Sequence, residues 1–316
     1  MSSAFTGKHY KKRNLHKERC LMQKAIITVP KATLYETAQG CGVADELLSG
    51  WIIKIRQSWK DRMEVTTHYG YSGWLKTSAI RPLLPEEHRL WNPIGHEPPP
   101  VQEQGCHLDA NYAAMICHTI IDVLECPKVQ AKVLSTLFMG SAVIPLGSPI
   151  DGWQKIQLAD KRCGYVPASA ILKPPLCFPD QESFRSGILG YARSYLGAPY
   201  RWGGKTREGI DCSGLTFMSY YMCGVSIYRD AAIVEGYPVH AIPLSQIQPA
   251  DLLYFPSHIA LYLGNGLYIH STGNIHTFGC TINSLNPKDA NFRADLAERL
   301  QGAGSIFPCG DPNLNS

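Results

Sequence analysis

The chain has 316 residues, 45% apolar and 18% charged, a composition that reads as globular, with room for two or three packed domains. Its net charge of +4 is modest, and much of it sits in "KHYKKRNLHKER" (8–19), where six Lys/Arg face one Glu. No aromatic-rich basic surface follows that run, so it reads as a solvated, disordered N-terminal arm at 1–19 and not as a nucleic-acid surface. No apolar run reaches the length of a membrane span, and the first thirty residues lack the apolar core of a secretory signal. A soluble, cytoplasmic protein is therefore expected. The eleven cysteines form no C-x-x-C pair, so most are expected to be small, partly buried hydrophobes and not a disulfide or zinc framework.

An internal repeat of about ninety residues comes first along the chain. "ELLSG" (46–50) precedes "GWLKTSAI" (73–80), and "TLFMG" (136–140) precedes "GYVPASAI" (164–171). Each copy combines short β-rich runs with a Gly-centred turn and a last strand entering a helical turn. Two small all-β barrels are expected, at 20–90 and 111–180. Between them, 91–110 is dense in proline and reads as a linker, and "KPPLCFP" (173–179) makes a second break. From 181 to 316 the pattern becomes α+β. "SFRSGILGYARSYLG" has helical spacing ending at Gly197, and "DLLYF", "HIALYLG", "LYIHST" and "CTINSL" read as consecutive strands.

"GIDCSGLTFMSYYMCG" (209–224) predicts a helix from Cys212 to Met222. A thiol in the first turn meets unpaired N–H groups and the positive helix end, which favour thiolate; Cys223, at the other end, is expected to be inert. The general base should come from "SHIALYLGNGLYIHST" (257–272). Its apolar residues share a face only if the turn is odd, Gly264-Asn265-Gly266, which also puts His258 and His270 on one face as diagonal neighbours. One can then act as base while the other orients it.

These residues, "YLGAPYRWGGKTREGIDCSGL" and "PADLLYFPSHIALYLGNGLYIHST", resemble the NlpC-type cysteine peptidases, which have a papain-like fold and cleave bacterial cell-wall peptides. The N-terminal repeats resemble bacterial SH3-type barrels. With "IYRDA" (227–231), the whole resembles the γ-D-glutamyl-L-diamino-acid endopeptidases that recycle murein peptides inside the cell. The resemblance implies two SH3-like barrels followed by an α+β papain-like catalytic domain. It further implies Cys212 as nucleophile, His258 as base and His270 as orienting residue, with no metal or cofactor. The expected substrate is L-Ala-γ-D-Glu-diamino acid with a free amine, and the expected oligomeric state is a monomer.

The family's substrate positions fall on Asp211, Ser213, Tyr71, Arg229 and Asp230, with Tyr200 and Trp202 lining the groove and an acid near Glu46 for the amine. Each has a plainer alternative: a helix cap for Asp211, a core ring for Tyr71, a surface ion pair for Arg229 and Asp230, packing for Tyr200 and Trp202. Three positions depart from the family's habit, with Ala231 for serine, Val234 near the usual glutamine, and Ala250 for the usual glycine. The rival functions are an exported wall hydrolase or amidase on the same scaffold, and a non-catalytic binder of wall peptides.

Overall fold

The computed structural model describes residues 23–88, 90–91, 113–173 and 178–308. The basic arm, the Pro-rich linker at 92–110 and residues 174–177 of the second break lie outside the described residues.

Strands β1 (Lys24–Ile27), β2 (Lys31–Tyr35), β3 (Val43–Leu48), β4 (Ile52–Trp59), β5 (Arg62–Thr67), β6 (Ser72–Lys76) and β7 (Ile80–Pro82) form a sheet in the order β3-β2-β6-β5-β4-β1-β7. The second copy has β8 (Ala114–Ile116), β9 (Ile120–Leu124), β10 (Val133–Phe138), β11 (Ala142–Pro145), β12 (Trp153–Gln157), β13 (Cys163–Pro167) and β14 (Ile171–Leu172). Its order, β10-β9-β13-β12-β11-β8-β14, is the first order with every strand advanced by seven. The sequence repeat is thus a repeat of topology, down to the 3-10 turns Thr77–Ala79 and Ala168–Ala170 that precede each last strand. Both orders are open, with β3 and β7, or β10 and β14, at the ends. The expected closure into barrels is not part of the described ladders.

The two sheets meet at the glycines that mark the repeat. Trp51 Nε1 donates to the Gly140 carbonyl at 2.8 Å, and the Ala142 N–H to the Ser49 carbonyl at 2.9 Å. Gly50, at φ +81, comes so close that a Cβ there would lie 2.3 Å from the Ala142 oxygen, so no other residue fits.

The rest of the chain contributes α1 (Gln181–Ser194), the hairpin β15 (Lys205–Thr206) and β16 (Gly209–Ile210), and α2 (Cys212–Tyr221). There follow β17 (His240–Ile242), β18 (Leu252–Phe255), β19 (His258–Gly264), β20 (Leu267–Thr272), β21 (Gly279–Ser284), α3 (Ala294–Ala297) and β22 (Gly302–Ser305). The six-stranded sheet is antiparallel in the order β17-β22-β18-β19-β20-β21. The edge strand β17 and its neighbour β22, with the sequences HAI and GAGS, are too short and too poor in large apolar residues to be legible from periodicity.

Every residue of α2 is buried, as expected of a helix that is apolar all round. One side meets Ile259, Leu261 and Ile269 of the sheet. The other meets the N-terminal sheets: Tyr69 and Phe217 rings are 4.8 Å apart, Trp51 and Tyr221 5.1 Å, and the Met218 side chain reaches Gly140. One core therefore runs from the first sheet through α2 to the last. Among the described residues, no helix is long and apolar enough to cross a membrane.

Candidate active site

Cys212 opens α2, as its spacing predicts, and Asp211 is the N-cap, its carboxylate accepting from the Gly214 N–H. The helix-cap alternative for Asp211 is thus real, but it is only part of that residue's work. Asp211 also accepts from the Gly203 N–H at 2.7 Å and from both terminal nitrogens of Arg229 at 3.2 and 3.0 Å. The Cys212 thiol faces the backbone N–H of Ile259, one residue beyond His258. The α2 N-terminus and the start of β19 therefore converge.

The hairpin puts the histidines together by a route the sequence leaves open. Leu261 pairs with Ile269 and Tyr262 with Tyr268, the expected parity, but Gly264 pairs with Leu267 across a bulge. The turn itself is the two-residue Asn265-Gly266, with φ +53 and +77, and the extra residue in β19 restores the parity. His258 Nε2 and His270 Nδ1 are 2.7 Å apart, and His270 Nε2 is 2.9 Å from Asn283 Oδ1 on β21.

Asn283 defines the tautomers. Its Nδ2 donates to the Asn291 carbonyl at 2.8 Å, which turns Oδ1 toward His270. An amide oxygen only accepts, so His270 Nε2 carries the proton and its Nδ1 is a lone pair. His258 Nε2 must then donate, leaving His258 Nδ1 free to accept. Burial, with the neighbouring ring next, pushes His258 down to about 3, and burial pushes His270 down to about 4. Both rings are neutral at rest.

Cys212 differs from expectation here. Burial first, and the Asp211 carboxylate second, push its thiol up to about 11, against smaller opposing contributions from the Ile259 N–H and Arg229. The helix N-terminus does not win, and the resting group is a thiol. Cys223, buried at the far end, is pushed up to about 12.

Around this centre lies a charge cluster that the sequence does not reveal. Arg229 is 2% exposed, so it is no surface ion pair. It donates to Ser213 Oγ at 2.7 Å and Asp45 Oδ1 at 2.9 Å, besides Asp211. Asp45, on β3, also accepts from the buried Lys205 ammonium and from the Tyr69 hydroxyl. Its neighbour Glu46 commits its carboxylate to Lys31 at 3.4 Å and to the Lys205 N–H at 3.1 Å. Asp230 accepts from the Tyr71 hydroxyl while lying within electrostatic reach of Arg229 and Asp45, and burial, then Asp230, pushes Tyr71 up to about 12.

Tyr71 also walls a cavity of about 370 Å³ shared with Glu36, Ala44, Tyr69, Gly70, Ser72, Tyr228 and Tyr237. Tyr200 is half-buried beside Cys212 and Asp211, with Phe278 edge-on at 5.9 Å. Trp202 is 67% exposed and donates from Nε1 to the Val43 carbonyl at 3.0 Å. Asp45, Tyr69, Lys205, Glu36 and Asn283 escape sequence reasoning, because nothing in their local pattern distinguishes them.

The sequence model described as the NlpC/P60 family matches residues 197–289. The chain is 34% identical over 293 residues to dipeptidyl-peptidase 6 of Lysinibacillus sphaericus, a match covering 90% of this chain and 99% of that one. It is 33% identical over 99 residues to the gamma-D-glutamyl-L-lysine dipeptidyl-peptidase of Bacillus subtilis strain 168, covering 29% of this chain and 33% of that protein. The crystal structure of an NlpC/P60 family protein from Bacillus cereus ATCC 10987 superposes with a TM-score of 0.72 over 90% of this chain and all of that one, at 18% identity, and so shares the fold. With a relative aligned from end to end, the chain belongs to the NlpC/P60 family of cysteine peptidases.

Proposed function

We propose that this peptidase hydrolyses the γ-D-glutamyl–diamino acid bond of murein peptides that carry a free N-terminal L-Ala. The observation that carries the reading is the relay Asn283–His270–His258 beside the first turn of α2, which leaves one imidazole nitrogen free to accept a proton. Cys212 is the nucleophile. As its sulfur attacks the γ-amide carbon, its proton passes to His258 Nδ1, so thiolate and imidazolium form in the reaction and not at rest. His270 receives the His258 Nε2–H and holds the ring. Backbone N–H groups at the start of α2 stabilise the oxyanion. His258 then protonates the leaving amine, and water with His258 as base resolves the thioester. No metal or cofactor enters these steps.

Arg229, Asp211 and Ser213 form the acyl side of the site. Tyr71 from the first sheet and Asp230 from the segment after α2 wall it, and Tyr200 and Trp202 border the groove. Asp45 and Glu46 are already committed to cations, so Glu36, the carboxylate in the tyrosine-walled cavity, is the better acceptor for the amine. The same proposal takes the two N-terminal sheets as SH3-type barrels that block long substrates, with the catalytic domain beginning near residue 181. It takes the enzyme to be a cytoplasmic monomer, since peptides with a free L-Ala amine are released fragments of the wall.

Mass spectrometry of L-Ala-γ-D-Glu-diamino acid-D-Ala incubated with the protein tests this reading. Release of L-Ala-D-Glu is expected, with Cys212→Ala slower by about 10⁴-fold or more. Undiminished hydrolysis by Cys212→Ala would remove the mechanism. Equal cleavage of the N-acetylated peptide would remove the amine pocket.

A further inference from the structure

Lys205 lies in β15, two residues beyond the Gly203 whose N–H Asp211 holds, and its side chain is wholly buried. Its ammonium donates to the Asp45 carboxylate, to the Glu46 carbonyl at 3.1 Å and to the Tyr69 hydroxyl at 3.3 Å. The rings of Tyr69, Phe217 and Trp51 stand 5.1, 5.3 and 5.8 Å away. The Asp45 oxygen that takes Lys205 also takes Arg229. Lys205 and Arg229 thus share one carboxylate, and with Asp211 the four buried charges cancel. Without the ammonium, two carboxylates would surround a single guanidinium, and the excess negative charge would lie in a low-dielectric region beside Cys212.

We propose that Lys205 is a specificity-determining positioning residue: by balancing Asp45, it keeps the buried cluster beside Cys212 neutral, so that a substrate with a free carboxylate is not repelled relative to the same substrate as a neutral carboxamide. Burial, then the Arg229 charge, pushes Lys205 down to about 8, which still leaves it protonated at pH 7. The inference rests on the γ-D-glutamyl reading, because a γ-linked glutamyl residue keeps its α-carboxyl group free.

Steady-state kinetics at pH 7 on two free-amine peptides, differing only in D-glutamate α-carboxylate or α-carboxamide, test it. Lys205→Met is expected to raise KM for the carboxylate peptide about tenfold with kcat within about twofold, while KM for the carboxamide peptide moves less than about threefold. Lys205→Met/Asp45→Asn, which restores the charge balance, is expected to recover most of the carboxylate KM. Lys205→Arg is expected to keep the preference; together these two variants carry the comparison if Lys205→Met does not fold. Equal losses on both peptides, no change on either, or a double variant worse than the single one would overturn the inference and leave Lys205 a structural residue. A wild-type protein that cleaves neither peptide would overturn the proposed function, and this inference with it.

Discussion

Asp211 shows how one side chain serves several purposes: it caps α2, anchors the Gly203 turn and fixes Arg229 from two sides. Ala250 shows the opposite economy. It is buried at φ +73, with its N–H on the Tyr262 carbonyl at 2.8 Å and its carbonyl taking the Tyr220 hydroxyl. A left-handed alanine is strained by roughly 1 kcal/mol relative to glycine. Ala250→Gly is therefore expected to raise the melting temperature by about 2–4 °C without changing kcat, as read by calorimetry and steady-state assay. An unchanged or lower melting temperature would show that the methyl packing outweighs the strain.

At the scale of the element, the β19–β20 hairpin holds two histidines that stay neutral because they are buried. The sign of the consequence follows from linkage. Their folded pKa values lie below the unfolded 6.5, so below pH 6.5 the unfolded chain takes up protons that the folded one refuses. The stability from keeping them neutral is complete above pH 6.5 and is lost as pH falls toward about 4. Melting temperatures measured between pH 7 and 4 should decline across that window. The slope should be shallower in His258→Gln/His270→Gln, and an equal slope in that variant would assign the loss to other groups. The depressed Asp45 carboxylate adds its own loss only below about 3.8, outside the window.

At the scale of the molecule, the first sheet is joined to the catalytic region through charges as well as rings. Asp45 is the shared partner of two cations from the other side of that junction. Removing it strands both cations in the interior, so Asp45→Ala is expected to destabilise by roughly 3–5 kcal/mol. Urea unfolding followed by near-ultraviolet circular dichroism checks this; a change under about 1 kcal/mol would mean that water reaches the cluster. The loss should exceed that of Arg293→Ala, whose Asp295 partner is largely exposed and whose pairing is therefore well screened.

Local pattern determined much of this protein. The ninety-residue repeat, the helix opening at Cys212, the four strands from "DLLYF" to "CTINSL" and the shared face of His258 and His270 all follow from periodicity, glycine placement and strand parity, which act over a few residues. The tertiary structure alone decided the rest. Lys205 meets Asp45 across 160 positions and Arg229 meets it across 184, a separation at which no periodicity operates, so neither the cluster nor the commitment of Glu46 to the Lys205 N–H could be read beforehand. The protonation of Cys212 belongs to the same class. Its place at a helix N-terminus is local and argues for thiolate, but its burial comes from other parts of the fold, and desolvation in that packed interior is the larger effect.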